Sequence, residues 1–151
     1  MSPERVIDII EHVRAFYSQL SVYYRAMSDD ADQQRVKLLL DYLSDVEKRH
    51  EQVLAEYEEN APSDILNTWF QYGDDSAIPN TYQPTELSSD VDVDFVIQEA
   101  LRIDQHLSNL YQHAIDRAQT ERIKEVFKHL LASNQKEMRN LVRDAGHLHD
   151  W

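Results

Sequence analysis

The chain has no cysteine among its 151 residues. Disulfides, thiolate nucleophiles, zinc-thiolate sites and cysteine-ligated iron–sulfur clusters are thereby excluded, and any metal has to sit on oxygen and imidazole. Glycine is nearly as scarce, at two residues, and of four prolines three fall between residues 62 and 84. The stretches on either side of that region carry nothing that interrupts a helix, which points to an all-α fold. Positive charge is also short: 15 Lys and Arg against 28 Asp and Glu give a net charge of −13. An acidic surface without a basic patch repels nucleic acid and anionic membrane, so neither is an expected partner. No run approaches the roughly 18 apolar residues of a membrane span, and the opening Met1-Ser2-Pro3-Glu4-Arg5 lacks the apolar core of a signal peptide. The expected location is the cytoplasm. The length suits a single domain over 1–151, large enough to bury a core without covalent staples.

What the chain does have is heptad-like periodicity. From about residue 4 to 27, Val6, Ile10, Val13, Tyr17, Leu20, Tyr24 and Met27 recur at alternating gaps of four and three, the seam of a helix in a bundle. Ser2 is placed to cap this helix with Pro3 at its first position, and Ser28-Asp29-Asp30 to end it and cap the next. The second seam reads Val36, Leu40, Leu43, Glu47, His50, Leu54, Tyr57, the third Ile97, Ala100, Asp104, Leu107, Tyr111, and the fourth Ile123, Phe127, Leu130, Asn134, Glu137, Leu141. Turns near 28–31 and 118–120 predict two antiparallel hairpins. Residues 60–89 hold most of the turn formers with Trp69, Phe70, Tyr72 and Tyr82, and form a long crossover that can run the length of the bundle and leave the second and third helices parallel. Within it Ser63-Asp64 is placed to cap a short helix, with Trp69 and Phe70 covering the bundle or a partner subunit. The acids of Ser89-Asp90-Val91-Asp92-Val93-Asp94 suit the N-terminus of the third helix.

The two hairpins are related. A shift of 87 positions aligns Ile10 with Ile97, Leu20 with Leu107, Ser21 with Ser108, Tyr24 with Tyr111, Leu43 with Leu130 and Leu54 with Leu141, without a gap. Two equivalent hairpins make a pseudo-two-fold bundle whose mid-helix positions converge. In this register Tyr17 matches Asp104, Glu47 matches Asn134, and His50 matches Glu137, so six polar side chains interrupt the apolar seams at one level. Three carboxylates brought together in a core lose hydration and repel one another. A bound divalent cation, raised carboxyl pKa values with shared protons, or a watered hydrogen-bond network would each compensate. His12, His106, His113 and His129 fall off the seams and read as surface residues, and the tail pair His147 and His149 reads as solvated.

Glu47-Lys48-Arg49-His50 resembles the Glu-x-x-His motif on the second helix of ferritin-like, and especially rubrerythrin-like, di-iron proteins. Tyr24 followed by Glu47 is similar to that family's packing aromatic and its ligand helix. The resemblance implies a ferritin-like four-helix bundle of two hairpins and a long crossover, with metal at the centre. The sequence departs from the pattern at Tyr17 and Asp104, where the family has glutamates, and at Asn134-Gln135-Lys136-Glu137, where it has a second Glu-x-x-His. The implied metal ligands are therefore Glu47, His50, Asp104 and Glu137, with the amide of Asn134 and the phenol of Tyr17 as lesser donors. Such a set suits iron or manganese, as one ion or a partial pair. The small cysteine-ligated iron domain of many rubrerythrin-like proteins is missing, so redox turnover requires an external electron donor.

Two functions follow. One is a metal-dependent oxidoreductase handling oxygen or peroxide. The other is a metal-free bundle that serves as an interaction or regulatory module, with the aromatic crossover as its contact surface. A small assembly, a homodimer, is the expected state, and nothing specifies the cage of an iron store.

Overall fold

The computed structural model describes residues 5–70 and 91–149. Its helices are α1 (Val6–Asp30), α2 (Gln34–Asn60), the single turn α3 (Ser63–Leu66), α4 (Val93–Arg117) and α5 (Glu121–His149). Adding 87 to both ends of α1 gives both ends of α4, and adding it to the start of α2 gives the start of α5. The repeat also fixes the turns. Ala31 and Ala118 end α1 and α4 in the same extended conformation, and each donates its backbone N–H to a carbonyl three residues back at 3.3 Å.

Helix starts differ from the sequence expectation in two places. Ser2 and Pro3 lie outside the described residues, and α1 begins at Val6 because Arg5 is extended. Arg5 forms an antiparallel bridge with Trp69, and the Val6 amide donates to the Thr68 carbonyl at 3.0 Å. Asp8 then caps the helix from inside, its carboxylate accepting from the Arg5 backbone N–H at 2.9 Å. Asp29 and Asp30 remain in α1, and Gln33 starts α2 without a side-chain cap. Likewise Ser63 is the first residue of α3 rather than its cap, which is Pro62. At α4 the acidic run acts as expected: Asp92 accepts from the Phe95 N–H at 2.9 Å. Thr120 accepts more weakly from the Ile123 N–H at 3.3 Å at the start of α5.

Cross-helix contacts set the topology. Arg14 meets Glu51 while Arg25 meets Asp41, so α1 and α2 run antiparallel. Only residues 118–120 join α4 to α5, so these two pack as the second antiparallel hairpin, in which Asn134 meets Asp104 and Ser108. Tyr17 meets Tyr111, while Tyr23, six residues on, feels the charges of Glu99 and Arg102, so α1 and α4 are antiparallel too. Hence α2 and α4 are parallel, as a crossover spanning the bundle requires. The core between the helices is filled by seam residues such as Ile10, Leu20, Leu40, Leu107 and Phe127, all at most 1% exposed. No helix among the described residues is long and apolar enough to cross a membrane.

The crossover aromatics divide. Phe70 is buried against Phe127, ring centroids 5.8 Å apart, whereas Trp69 is 55% exposed and carries the Arg5 guanidinium over its ring. Tyr72 and Tyr82, like the side chains of His147 and His149, lie outside the described residues. His12, His106 and His129 are on the surface as expected, but His113 is half-buried against Arg117. Because Phe70 plugs the bundle while Trp69 does not, Phe70→Ala should cost about 3 kcal/mol of folding stability and Trp69→Ala less than about 1 kcal/mol. Urea denaturation of the two variants checks this, and equal losses would contradict it.

Candidate metal centre

Each long helix contributes polar side chains to the middle of the bundle. Tyr17 on α1 is 4% exposed, Glu47 on α2 3%, Asp104 on α4 7% and Asn134 on α5 2%. His50 and Glu137, one turn beyond Glu47 and Asn134, are partly buried. The seam spacing explains this: 3.6 residues per turn keeps positions 47, 50 and 54 on the face of α2 that meets the core.

The layer falls into two unlike halves. In the first, the Tyr17 and His50 rings lie 5.0 Å apart and the Tyr17 hydroxyl shares a 3.0 Å hydrogen bond with the Tyr111 hydroxyl. These three side chains, with Leu54 and Asn134, line a pocket of about 40 Å³ whose rim is formed by the exposed Val53 and Ser133. A water needs about 10–15 Å³ of such space, so the pocket has room for up to about three. In the second half, the Asp104 carboxyl is held well above the usual carboxylate range, first by burial and then by the charges of Glu47 and Glu137. The Tyr42 phenol is raised first by burial and then by the charge of Glu137, so that carboxylate acts on both α4 and α2.

Asn134 touches both halves, lining the pocket and bonding to α4. Its Nδ2 donates to the Asp104 carbonyl and to the Ser108 hydroxyl, each at 2.8 Å. A carbonyl only accepts, so this pairing fixes which end of the amide carries nitrogen, and its Oδ1 is left over. Four buried side-chain N or O atoms among the described residues lack a hydrogen-bond partner, and three are here: Glu47 Oε2, His50 Nδ1 and Asn134 Oδ1. Glu47 Oε2 and His50 Nδ1 approach to 3.6 Å, too long for a hydrogen bond. Each unmet buried atom costs on the order of 1–3 kcal/mol, so three at one level is a substantial deficit.

The ligands expected from the seams are gathered only in part. Among the described residues no group of three or more His, Asp or Glu side chains stands close enough to hold a metal ion. Glu47 and His50 are together at 3.6 Å, and Asp104 lies near enough to feel the charges of Glu47 and Glu137, yet no three of the four close into one group. Tyr111 and Ser108 were not among the expected site residues. Both lie on the buried face of α4, and the repeat signals them, because Ser21/Ser108 and Tyr24/Tyr111 are identical pairs flanking the layer. Ser44 gives no such signal, yet it and Ser21 donate to each other's backbone carbonyl at 2.8 and 2.9 Å and fasten α1 to α2 one turn beyond Tyr17.

No protein-family model matches the chain, and no curated protein matches it. A solved structure does. A protein from Thermotoga maritima described as a ferritin-like diiron-carboxylate protein superposes over 95% of this chain and 95% of its own, with a TM-score of 0.62 and 15% sequence identity. The fold is ferritin-like. At that identity only the architecture is shared with certainty, and the polar layer of this ferritin-like bundle has to be judged from its own residues. A carboxylate-bridged pair of metals does not fit them, because Asn134 and Tyr17 stand where bridging or terminal carboxylates would be needed and no three acidic or imidazole ligands meet. Glu47 Oε2, Asn134 Oδ1 and, with the ring protonated at Nε2, His50 Nδ1 are donor atoms of the kinds a single ion takes, and none has a hydrogen-bond partner.

Asp104 gives a pH test in the metal-free protein. Its carboxyl pKa is raised in the folded state, so its contribution to stability is complete below the unfolded value of about 3.9 and is lost as pH rises through the folded value. Asp104→Asn, which cannot ionise, should therefore gain stability relative to the parent chain as pH increases. Urea midpoints measured from pH 4 to 8 check this, and parallel profiles for the two proteins would contradict it.

Proposed function

We propose that this ferritin-like bundle binds one iron or manganese ion on Glu47 and His50, with the Asn134 amide oxygen as a further donor, and serves as a metal-dependent oxidoreductase acting on oxygen or peroxide. The observation that carries the reading is the trio of buried, unpartnered lone pairs on Glu47, His50 and Asn134. A cation takes lone pairs from all three, with His50 protonated at Nε2. Hard oxygens with one imidazole suit iron or manganese better than softer ions. The name of the solved ferritin-like relative points the same way.

A redox-active ion held there would supply one-electron chemistry. The protein's own part is geometric. Glu47 and His50 sit on one face of α2, one turn apart, so the helix presets their spacing. Tyr17, Tyr111 and Leu54 wall the pocket and keep bulk water out, while its rim at Val53 and Ser133 leaves a path for a small oxidant. Burial, with the charges of Glu47 and Glu137, holds the Asp104 carboxyl well above the usual carboxylate range, so it takes up a proton more readily than an exposed acid and limits repulsion of Glu47. With no cysteine in the chain, electrons come from an external donor.

One observation favours the metal-free alternative, an interaction module: Trp69 is 55% exposed and braced by Arg5, as a contact residue would be. Metal analysis separates the two. Protein dialysed against Fe(II) or Mn(II) should retain about one ion per chain, and Glu47→Gln or His50→Ala should weaken retention at least about tenfold, while Arg25→Ala on the outer face has no effect. Retention of two ions would contradict the single site, and retention of none would remove the oxidoreductase reading.

A further inference from the structure

We infer that the outer groove between α4 and α5 is a docking site for an acidic amphipathic helix of a partner protein, with Leu101, Met138 and Val142 as its apolar floor and Arg139 as the charge that selects the partner. The inference uses no part of the polar layer and stands apart from the metal reading.

The groove takes Gln98, Leu101, Arg102 and Gln105 from α4 and Met138, Arg139 and Val142 from α5. Positions 98, 101, 102 and 105 form one face of a helix over two turns, so the groove runs about 10 Å along α4. Its volume is about 610 Å³, and because all its walls come from two neighbouring helices it has a floor but no roof among the described residues. A small molecule lying there would keep much of its surface in water, whereas the ridge of a further helix fits between two packed helices. Val142 is 56% exposed, and Phe95, one turn before Gln98, is 42% exposed, while Leu101 packs against the core and fixes the floor. Met138 is unbranched and polarisable, so it adapts to the shape it meets.

Charge decides which helix the groove takes. α5 carries six Lys and Arg against four Asp and Glu, whereas α1, α2 and α4 each carry more acids than bases. Arg102 is held by Glu99 at 2.6 Å and Arg143 by Asp144 at 3.3 Å, but the exposed Lys136 and Arg139 have no ion pair among the described residues. A partner helix with carboxylates beside its apolar stripe supplies the counter-charge that Arg139 lacks, at a rim where little desolvation is required. A basic helix would gain only the apolar contact and meet repulsion. A second copy seated symmetrically would bring its own Arg139 to the same groove, like charge against like, which disfavours self-pairing. Nucleic acid, the other polyanion, is repelled by the net charge of −13.

The test uses the full chain and two fluorescein-labelled probe peptides of about 15 residues, each with leucine at every third or fourth position. One carries glutamate along both flanks of that stripe, the other lysine. Fluorescence anisotropy at about 0.1 M salt follows binding. The glutamate peptide should bind with a Kd of about 10–100 µM, and the lysine peptide at least about tenfold more weakly. Arg139→Glu and Val142→Asp should each weaken the glutamate peptide at least about tenfold. Lys128→Glu, three turns away along α5, makes the same change in net charge as Arg139→Glu and should leave binding within about twofold. All three side chains are exposed, and circular dichroism melts confirm that the variants fold. Equal binding of the two peptides, or full binding by Arg139→Glu, would overturn the selection by charge. No binding of the glutamate peptide, or self-association of the chain that Val142→Asp abolishes in sedimentation, would overturn the partner site, the latter giving the groove to a second copy.

Discussion

A carboxylate, an imidazole and an amide oxygen are buried halfway along an apolar bundle with no donor to meet them, and everything distinctive about this protein follows from how that deficit is resolved. An ordinary bundle would fill positions 17, 47, 50, 104, 134 and 137 with leucine or isoleucine and be more stable for it. Here the helices are long, uninterrupted and fastened by the Ser21–Ser44 bonds and the Arg14 and Arg25 ion pairs, which hold the polar layer in place despite its cost. A rigid frame of this kind lets unpartnered groups persist where a ligand can satisfy them.

Asymmetry is the second theme. The backbone repeat is faithful to the residue, with α1 and α4 matching end for end, yet the side chains of the central layer have diverged between the halves. The α1–α2 half presents a phenol, a carboxylate and an imidazole, while the α4–α5 half presents two carboxyls and an amide. Asn134 enforces the difference, because both its N–H bonds are taken up by α4 and only its oxygen remains for the other side.

Much of this was legible in the sequence, because period and repeat are backbone properties. The alternation of four and three marked all four long helices, the scarcity of glycine and proline marked where they could not break, and the shift of 87 marked the two hairpins. Helix starts were less legible: Arg5 is held extended by a bridge to Trp69, 64 positions away, which no local signal announces. The site was legible in membership but not in partition. Seam positions told that Glu47, His50, Asp104 and Glu137 face inward, but not which of them approach one another, since that depends on side-chain packing and on the particular bonds of Asn134. The Tyr17–Tyr111 pair was illegible for the same reason, joining residues 94 apart whose rings meet only when the hairpins dock.

The most direct measurement is an anomalous-difference map, at the iron edge, from crystals of protein loaded with iron. One peak beside Glu47 and His50, within bonding distance of both and separate from the Asp104 and Glu137 carboxylates, is the expected result. Two peaks bridged by those carboxylates, or no peak in the layer at full iron supply, would contradict the single-ion centre.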